Sequence, residues 1–120
     1  VIVSHSGLHC HCPVTRNFPD ELMRRIADTC GVIGMGYWAD VVCDEITPKG
    51  IARMIAAAIA TVGEDHVSLG SDYDGSVETA FDTSELPALT SALLDQGLTE
   101  TQIRKVMGEN MVRVLRARLN

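Results

Sequence analysis

Two histidine- and aspartate-bearing segments carry the side chains of this chain that are best suited to chemistry. Val1-Ile2-Val3-Ser4-His5 and His66-Val67-Ser68-Leu69-Gly70-Ser71-Asp72 are short apolar runs that each end in a metal-capable group. A neutral imidazole nitrogen binds zinc and related ions, so His5 is a candidate metal ligand. Asp72 is a candidate proton carrier, since a carboxylate beside a metal-bound water can take a proton during attack and return it to a leaving amine. In Asp72-Tyr73-Asp74-Gly75 the carboxylates stand two residues apart, and only Asp72 is expected to share the inward face; an Asx-type turn closed by Gly75 is the bland alternative. Arg16, just before a helix, could clamp a substrate carboxylate bidentately, against the alternative of a solvated surface arginine. His9-Cys10-His11-Cys12 looks like a soft metal site, but four contiguous residues cannot close a tetrahedron without strain, and a loop over the rim accounts for it better. No phosphate loop, nucleophile elbow or dinucleotide fingerprint occurs.

The elements that must position these groups can be read from periodicity. Val, Ile and Leu in runs this short, closed by Ser and Gly, read as buried parallel strands, and Val32-Ile33-Gly34-Met35-Gly36 reads as a third, with Tyr37 and Trp38 at its rim. The glycines of that run allow close backbone approach. Pro19-Asp20-Glu21 opens a helix over about residues 19 to 30, with acids in its first turn. Thr47 as N-cap and Pro48 at the first helical position open another, whose apolar residues Ile51, Met54, Ile55, Ala58, Ile59 and Val62 follow the 3.6-residue period. After a polar stretch from Ser76 to Ser84, a helix is marked by Leu86, Leu89, Leu93 and Leu94, and a last one begins at Leu98-Thr99 and runs through Leu115. Alternating strands and helices are the signature of consecutive βα units with right-handed crossovers. His5 and Asp72 then fall at strand C-terminal ends, the rim where α/β sheets and barrels bind ligands.

Composition narrows the classes. The 120 residues are 46% hydrophobic and 22% charged, one modest domain of globular makeup without an internal boundary. A formal net charge of -6 disfavours attraction to nucleic acid or anionic lipid. The longest nearly apolar stretch, Ile55 to Val62, is far below the roughly 20 residues that cross a bilayer, so no transmembrane span is expected. A soluble protein is expected, with a cytoplasmic location favoured. The four cysteines, Cys10, Cys12, Cys30 and Cys43, are expected as reduced thiols, with Cys30 and Cys43 behaving as small buried hydrophobes. The opening VIVSHS, without Met or leader, reads as the inside of something larger, and an opening edge strand needs a neighbour.

The segments VIVSHSGLHCHCPVTRNFPDELM, GVIGMGYW, DHVSLGSDYDG and LTETQIRKVMGENMVRVL, in this order, resemble the C-terminal portion of the renal or membrane dipeptidase family of zinc metallopeptidases, bacterial members above all. The resemblance covers essentially the whole chain. It implies an α/β fold in which the βα units form about strands six to eight of a (β/α)8 barrel, related to amidohydrolases, and a site with two zinc ions that hydrolyses dipeptides. It implies that His5 is the zinc ligand of strand six, that Arg16 holds the substrate's terminal carboxylate, and that Asp72 handles the catalytic proton and orients the substrate's amino group. The family's early His-x-Asp pair, bridging Glu and preceding His ligand have no counterpart here. Three strands cannot close a barrel, so the chain alone is expected to be inactive and to need a missing N-terminal barrel segment or other chains as partners. A homo-oligomer is compatible with the sequence. The rival readings are a noncatalytic scaffold or interaction module of the same fold, and a small metal-handling protein using His9 to Cys12.

Overall fold

A computed structural model describes residues 1–119. Three parallel strands, β1 (Ile2–Ser6), β2 (Val32–Met35) and β3 (Val67–Leu69), form one sheet in the order β1-β2-β3. Helices connect them: α1 (Asp20–Asp28), the short α2 (Ala39–Val42) and α3 (Pro48–Val62), followed after β3 by α4 (Leu86–Asp95), α5 (Glu100–Arg104) and α6 (Asn110–Arg118). The expected βα rhythm is therefore present. Val3, Ile33, Val67 and Met35 face the helices, where they meet Met23 and Ile26 of α1, Ile51, Met54, Ile55 and Ala58 of α3, and Leu89 and Leu93 of α4.

β1 does not keep a regular register. Val3 pairs with Ile33 but Ser6 pairs with Met35, so three residues of β1 are matched to two of β2. Strict alternation would send His5 to the same face as Val3, into the helix-side core. The extra residue turns Ser6 inward, where it is fully buried beside Met35, and leaves His5 on the open side.

Each helix boundary has a local cause. α1 starts after Pro19 with Asp20 and Glu21 in its first turn, but it stops earlier than expected. The amide of Cys30 donates to Ala27 and that of Gly31 to Ile26, the paired bonds of a Schellman ending, with Cys30 in the left-handed region at φ 58°. Cys30 is thus exposed at a cap and is not the buried hydrophobe that its neighbours suggest. At α3 the Thr47 hydroxyl accepts from the amide of Gly50 and Pro48 occupies the first turn, as expected. The polar stretch before α4 is organised: Asp82 accepts from the amide of Ser84, and Glu85 reaches back to the amide of Asp82.

The last helix divides in two. α5 begins with a Thr99/Gln102 capping box, and over Lys105–Glu109 the chain kinks at Gly108, whose backbone leaves the helical region (φ 167°, ψ -31°), before α6 begins. The buried Asn110 amide donates to the carbonyls of Glu64 and Val67 at 2.7 and 2.9 Å, tying the start of α6 to the entry of β3.

On the other side of the sheet's helices, Arg53 of α3 grips the loop after α2 by donating to both carboxylate oxygens of Asp44 at 2.7 Å. These bonds, chiefly, hold the Asp44 carboxyl down from 3.8 to about 2. A lowered folded-state value contributes stability above the ordinary carboxylate range, which disappears as pH falls through about 2. Asp44→Asn is therefore expected to lower the urea midpoint at about pH 6 and to lose most of that effect near pH 2, measured by denaturation at both pH values. Cys30→Gly should raise stability by about 0.5–1 kcal/mol in the same assay, since glycine adopts the left-handed cap without a Cβ penalty.

Candidate active site

The C-terminal ends of the strands open on a cleft of about 570 Å³ lined by Ser4, His5, Leu69, Gly70, Ser71, Asp72, Asp74 and Gly75. His5 and Asp72 converge across it, with Nε2 and Oδ2 3.8 Å apart. Ser4 Oγ lies 2.9 Å from His5 Nδ1. With the Nδ1 proton donated to that oxygen, the Nε2 lone pair points to the cleft, the tautomer a metal-binding imidazole needs.

Asp72 lies three residues beyond β3 in the left-handed region, at φ 57°. The turn expected at Gly75 is present, but it is closed by the Asp72 main-chain carbonyl, which accepts from the Gly75 amide at 2.8 Å. The side-chain carboxylate is left to face His5. It lies so close over Gly75 that a Cβ there would push it from this position. Asp74 also borders the cleft, but it is exposed and has no comparable contact with His5.

Arg16 approaches from the loop between β1 and α1. That loop is closed on itself by Phe18 donating to Gly7 and His9 donating to Phe18, and it is fixed from below by Asn17, whose buried amide donates to the carbonyls of Cys12 and Val41 at 2.9 and 2.8 Å. The exposed Arg16 guanidinium donates to the carbonyl of His5 at 3.3 Å and stands over the Trp38 ring, 5.7 Å from its centroid. The His5 ring is tilted against the same indole, with centroids 5.8 Å apart. Trp38 folds back over Gly36, where a Cβ would collide with it. Its neighbour Tyr37 stacks on Phe81 and meets Tyr73 edge-on, and burial, then the Tyr73 hydroxyl, pushes the Tyr37 phenol well above its ordinary value.

The structure thus brings His5, Asp72 and Arg16 to one rim. It does not make a metal centre of His9-Cys10-His11-Cys12: among the described residues no three His, Cys, Asp or Glu side chains cluster so as to hold an ion. The expectation of reduced thiols is also corrected. Cys12 and Cys43 form a disulfide, their Cα atoms 5.1 Å apart, because the Arg16 loop and the end of α2 are packed together by Asn17. Cys43 is accordingly an exposed cross-link and not a buried hydrophobe. Cys10 and Cys30 remain free and exposed.

Sequence reasoning set Trp38 at the rim without seeing that it touches both His5 and Arg16. The available signal was the lone tryptophan two residues after a strand glycine. Nothing local marked Asn17, whose partners are 5 and 24 residues away.

A parallel βα segment that converges an imidazole, a carboxylate and a guanidinium at its strand ends defines an α/β protein with a polar ligand-binding rim. Comparison with known proteins gives the family. The membrane dipeptidase model, peptidase family M19, matches residues 1–119, and the chain belongs to that family. It is 36% identical to the Klebsiella pneumoniae uncharacterized protein in the pqqA 5' region, over 97% of this chain and 46% of that protein. It is 32% identical to dipeptidase tcpJ of Claviceps purpurea, over 97% of this chain and 29% of that protein. A metallopeptidase structure from Rhodobacter sphaeroides, liganded with a phosphinate mimic of the dipeptide L-Ala-D-Ala, superposes with a TM-score of 0.86 at 29% identity, covering 96% of this chain and 35% of that one. An amidohydrolase structure from Pseudomonas aeruginosa gives 0.83 at 30% identity, covering 97% and 45%. The chain therefore spans less than half the length of these relatives. No helix of the described residues is long and apolar enough to cross a membrane.

The disulfide makes a direct prediction. Thiol titration of the unfolded, unreduced chain should count the two free cysteines, Cys10 and Cys30, and after reduction all four. Cys43→Ser, opening a loop of 31-residue separation, should cost about 3–4 kcal/mol in urea denaturation.

Proposed function

We propose that this chain is the part of a binuclear zinc dipeptidase that supplies about strands six to eight of a (β/α)8 barrel, as β1, β2 and β3. The observation that carries the reading is the 3.8 Å approach of His5 Nε2 to Asp72 Oδ2 beside an Arg16 guanidinium, in a chain that the family model matches from end to end. Both outer strands of the sheet have a neighbour on one side only, which suits a sheet that continues in both directions.

The residues fit the zinc as far as they go. A neutral imidazole nitrogen is an ordinary zinc donor, and one is fewer than an ion requires, so the remaining ligands would come from the rest of the barrel. Two zinc ions bound by His5 and those ligands would supply Lewis-acid polarisation of the scissile carbonyl and an acidified water. His5 is the ligand this segment contributes. Asp72 takes the proton of the attacking water and returns it to the departing amine, and its carboxylate also orients the substrate's amino group. Arg16 spends one donor on the His5 carbonyl, so its remaining N–H groups are free to fork onto the terminal carboxylate of a dipeptide. The partners are thus a dipeptide substrate and the remainder of the barrel. The Cys12–Cys43 bridge favours an oxidising compartment over the cytoplasm.

Two variants of the complete protein test this. Asp72→Asn should lower kcat for a glycyl dipeptide by about 10²- to 10⁴-fold with bound zinc unchanged by elemental mass spectrometry. His5→Ala should lose zinc. Undiminished hydrolysis in the first variant together with full zinc in the second would leave a scaffold role only.

A further inference from the structure

We propose that Trp38 is a positioning residue for carboxylate recognition, its indole face holding the Arg16 guanidinium in the orientation that a dipeptide's terminal carboxylate requires. The inference rests on the reading of Arg16 as the carboxylate clamp. An exposed arginine has a long, flexible stem, and a bidentate fork recognises a carboxylate only when its plane is set beforehand. One hydrogen bond of 3.3 Å to the His5 carbonyl fixes a single nitrogen and leaves the guanidinium free to swing about it. The second restraint is the indole 5.7 Å from Arg16 Cζ, a cation–π contact of ordinary length.

Trp38 is itself tightly packed, which is what a platform needs. Its side is 6% exposed, its ring closes over Gly36, and the adjoining Tyr37 is locked between Phe81 and Tyr73. The same indole touches the His5 ring at 5.8 Å. The His5 ring has an anchor of its own in Ser4 Oγ, 2.9 Å from Nδ1, so the restraint that depends on the indole is that of the guanidinium.

The test compares a dipeptide with the same dipeptide carrying a C-terminal amide, using the complete protein. Dissociation constants of a non-hydrolysable dipeptide analogue, with and without its carboxylate, provide a readout independent of turnover. Trp38→Leu should raise KM and the analogue's dissociation constant for the carboxylate form by about tenfold, leaving the amide form and kcat nearly unchanged. Trp38→Phe, which keeps an aromatic face and guards against a folding defect, should recover most of the loss. In an Arg16→Ala background, which removes the preference for the carboxylate form, Trp38→Leu should add nothing. Equal weakening of both forms by Trp38→Leu, or additivity with Arg16→Ala, would overturn the positioning role while leaving the clamp intact. If Arg16→Ala keeps the preference for the carboxylate form, the clamp reading fails, and the Trp38 proposal with it.

Discussion

A single-residue slip between β1 and β2 decides whether this rim has an imidazole at all. On a regular strand His5 would follow Val3 into the apolar layer beneath the helices, where an unpaired imidazole is costly and unreachable. Matching Val3–Ser6 against Ile33–Met35 inserts one residue, puts the small Ser6 into the buried place and delivers His5 to the cleft. The Ser-His-Ser sequence suits this exchange. A bulky residue at position 6 would not fit the fully buried site, and the hydroxyl of Ser4 is in reach of the ring nitrogen that must be held.

The rim loops are irregular, and irregular backbone holds its place only when its polar groups and side chains are fixed by something else. Here the fixing groups are few and shared. Asn17 satisfies two carbonyls, one in its own loop and one at α2, and the Cys12–Cys43 bridge joins the same two segments covalently. The Tyr37-Trp38 pair does the corresponding work on the other side, with Tyr37 facing the Asp72 loop through Tyr73 and Trp38 facing His5 and Arg16. The loops from β1 and β3 are therefore referenced to the end of β2, which keeps groups 67 residues apart in sequence within a hydrogen bond's neighbourhood of each other.

What could be read in advance were features that depend on local pattern: three short strands by apolar run, α3 by its period and its Thr47-Pro48 start, and His5, Arg16 and Asp72 by residue type at strand ends or before a helix. What could not be read depended on partners distant in the chain. The thiol state of Cys12 and Cys43 follows from two loops meeting, and composition alone favoured reduced cysteines. The exposed Cys30 lies between apolar neighbours, yet its place is set by the helix ending that forces it left-handed. The division of the last helix falls at the non-helical Gly108, and the following Asn110 reaches the carbonyls of Glu64 and Val67, contacts invisible in the period of the helix itself.

The two ends of the sheet carry different kinds of polar contact, and the difference bears on function. At the strand entrances, polar groups are paired with structural partners: Lys105 Nζ meets Glu64 at 2.6 Å and Asp65 at 2.8 Å, Arg113 donates to the carbonyls of Cys30 and Asp65, and His66 Nδ1 lies 2.8 Å from the carbonyl of Gly31. Such groups are committed to closing backbone ends and have little capacity left for a ligand. At the strand exits the commitment is partial. Arg16 uses one of its five donors on the backbone, His5 presents Nε2 to the cleft, and Asp72 satisfies its turn through the main chain, so its carboxylate is not consumed there. A fold that closes its entrances largely with ionisable side chains and its exits with main-chain bonds, the uncharged Asn17 amide, aromatic contacts and a covalent bridge keeps its titratable side chains at the exits available, which is where parallel α/β architectures place their chemistry.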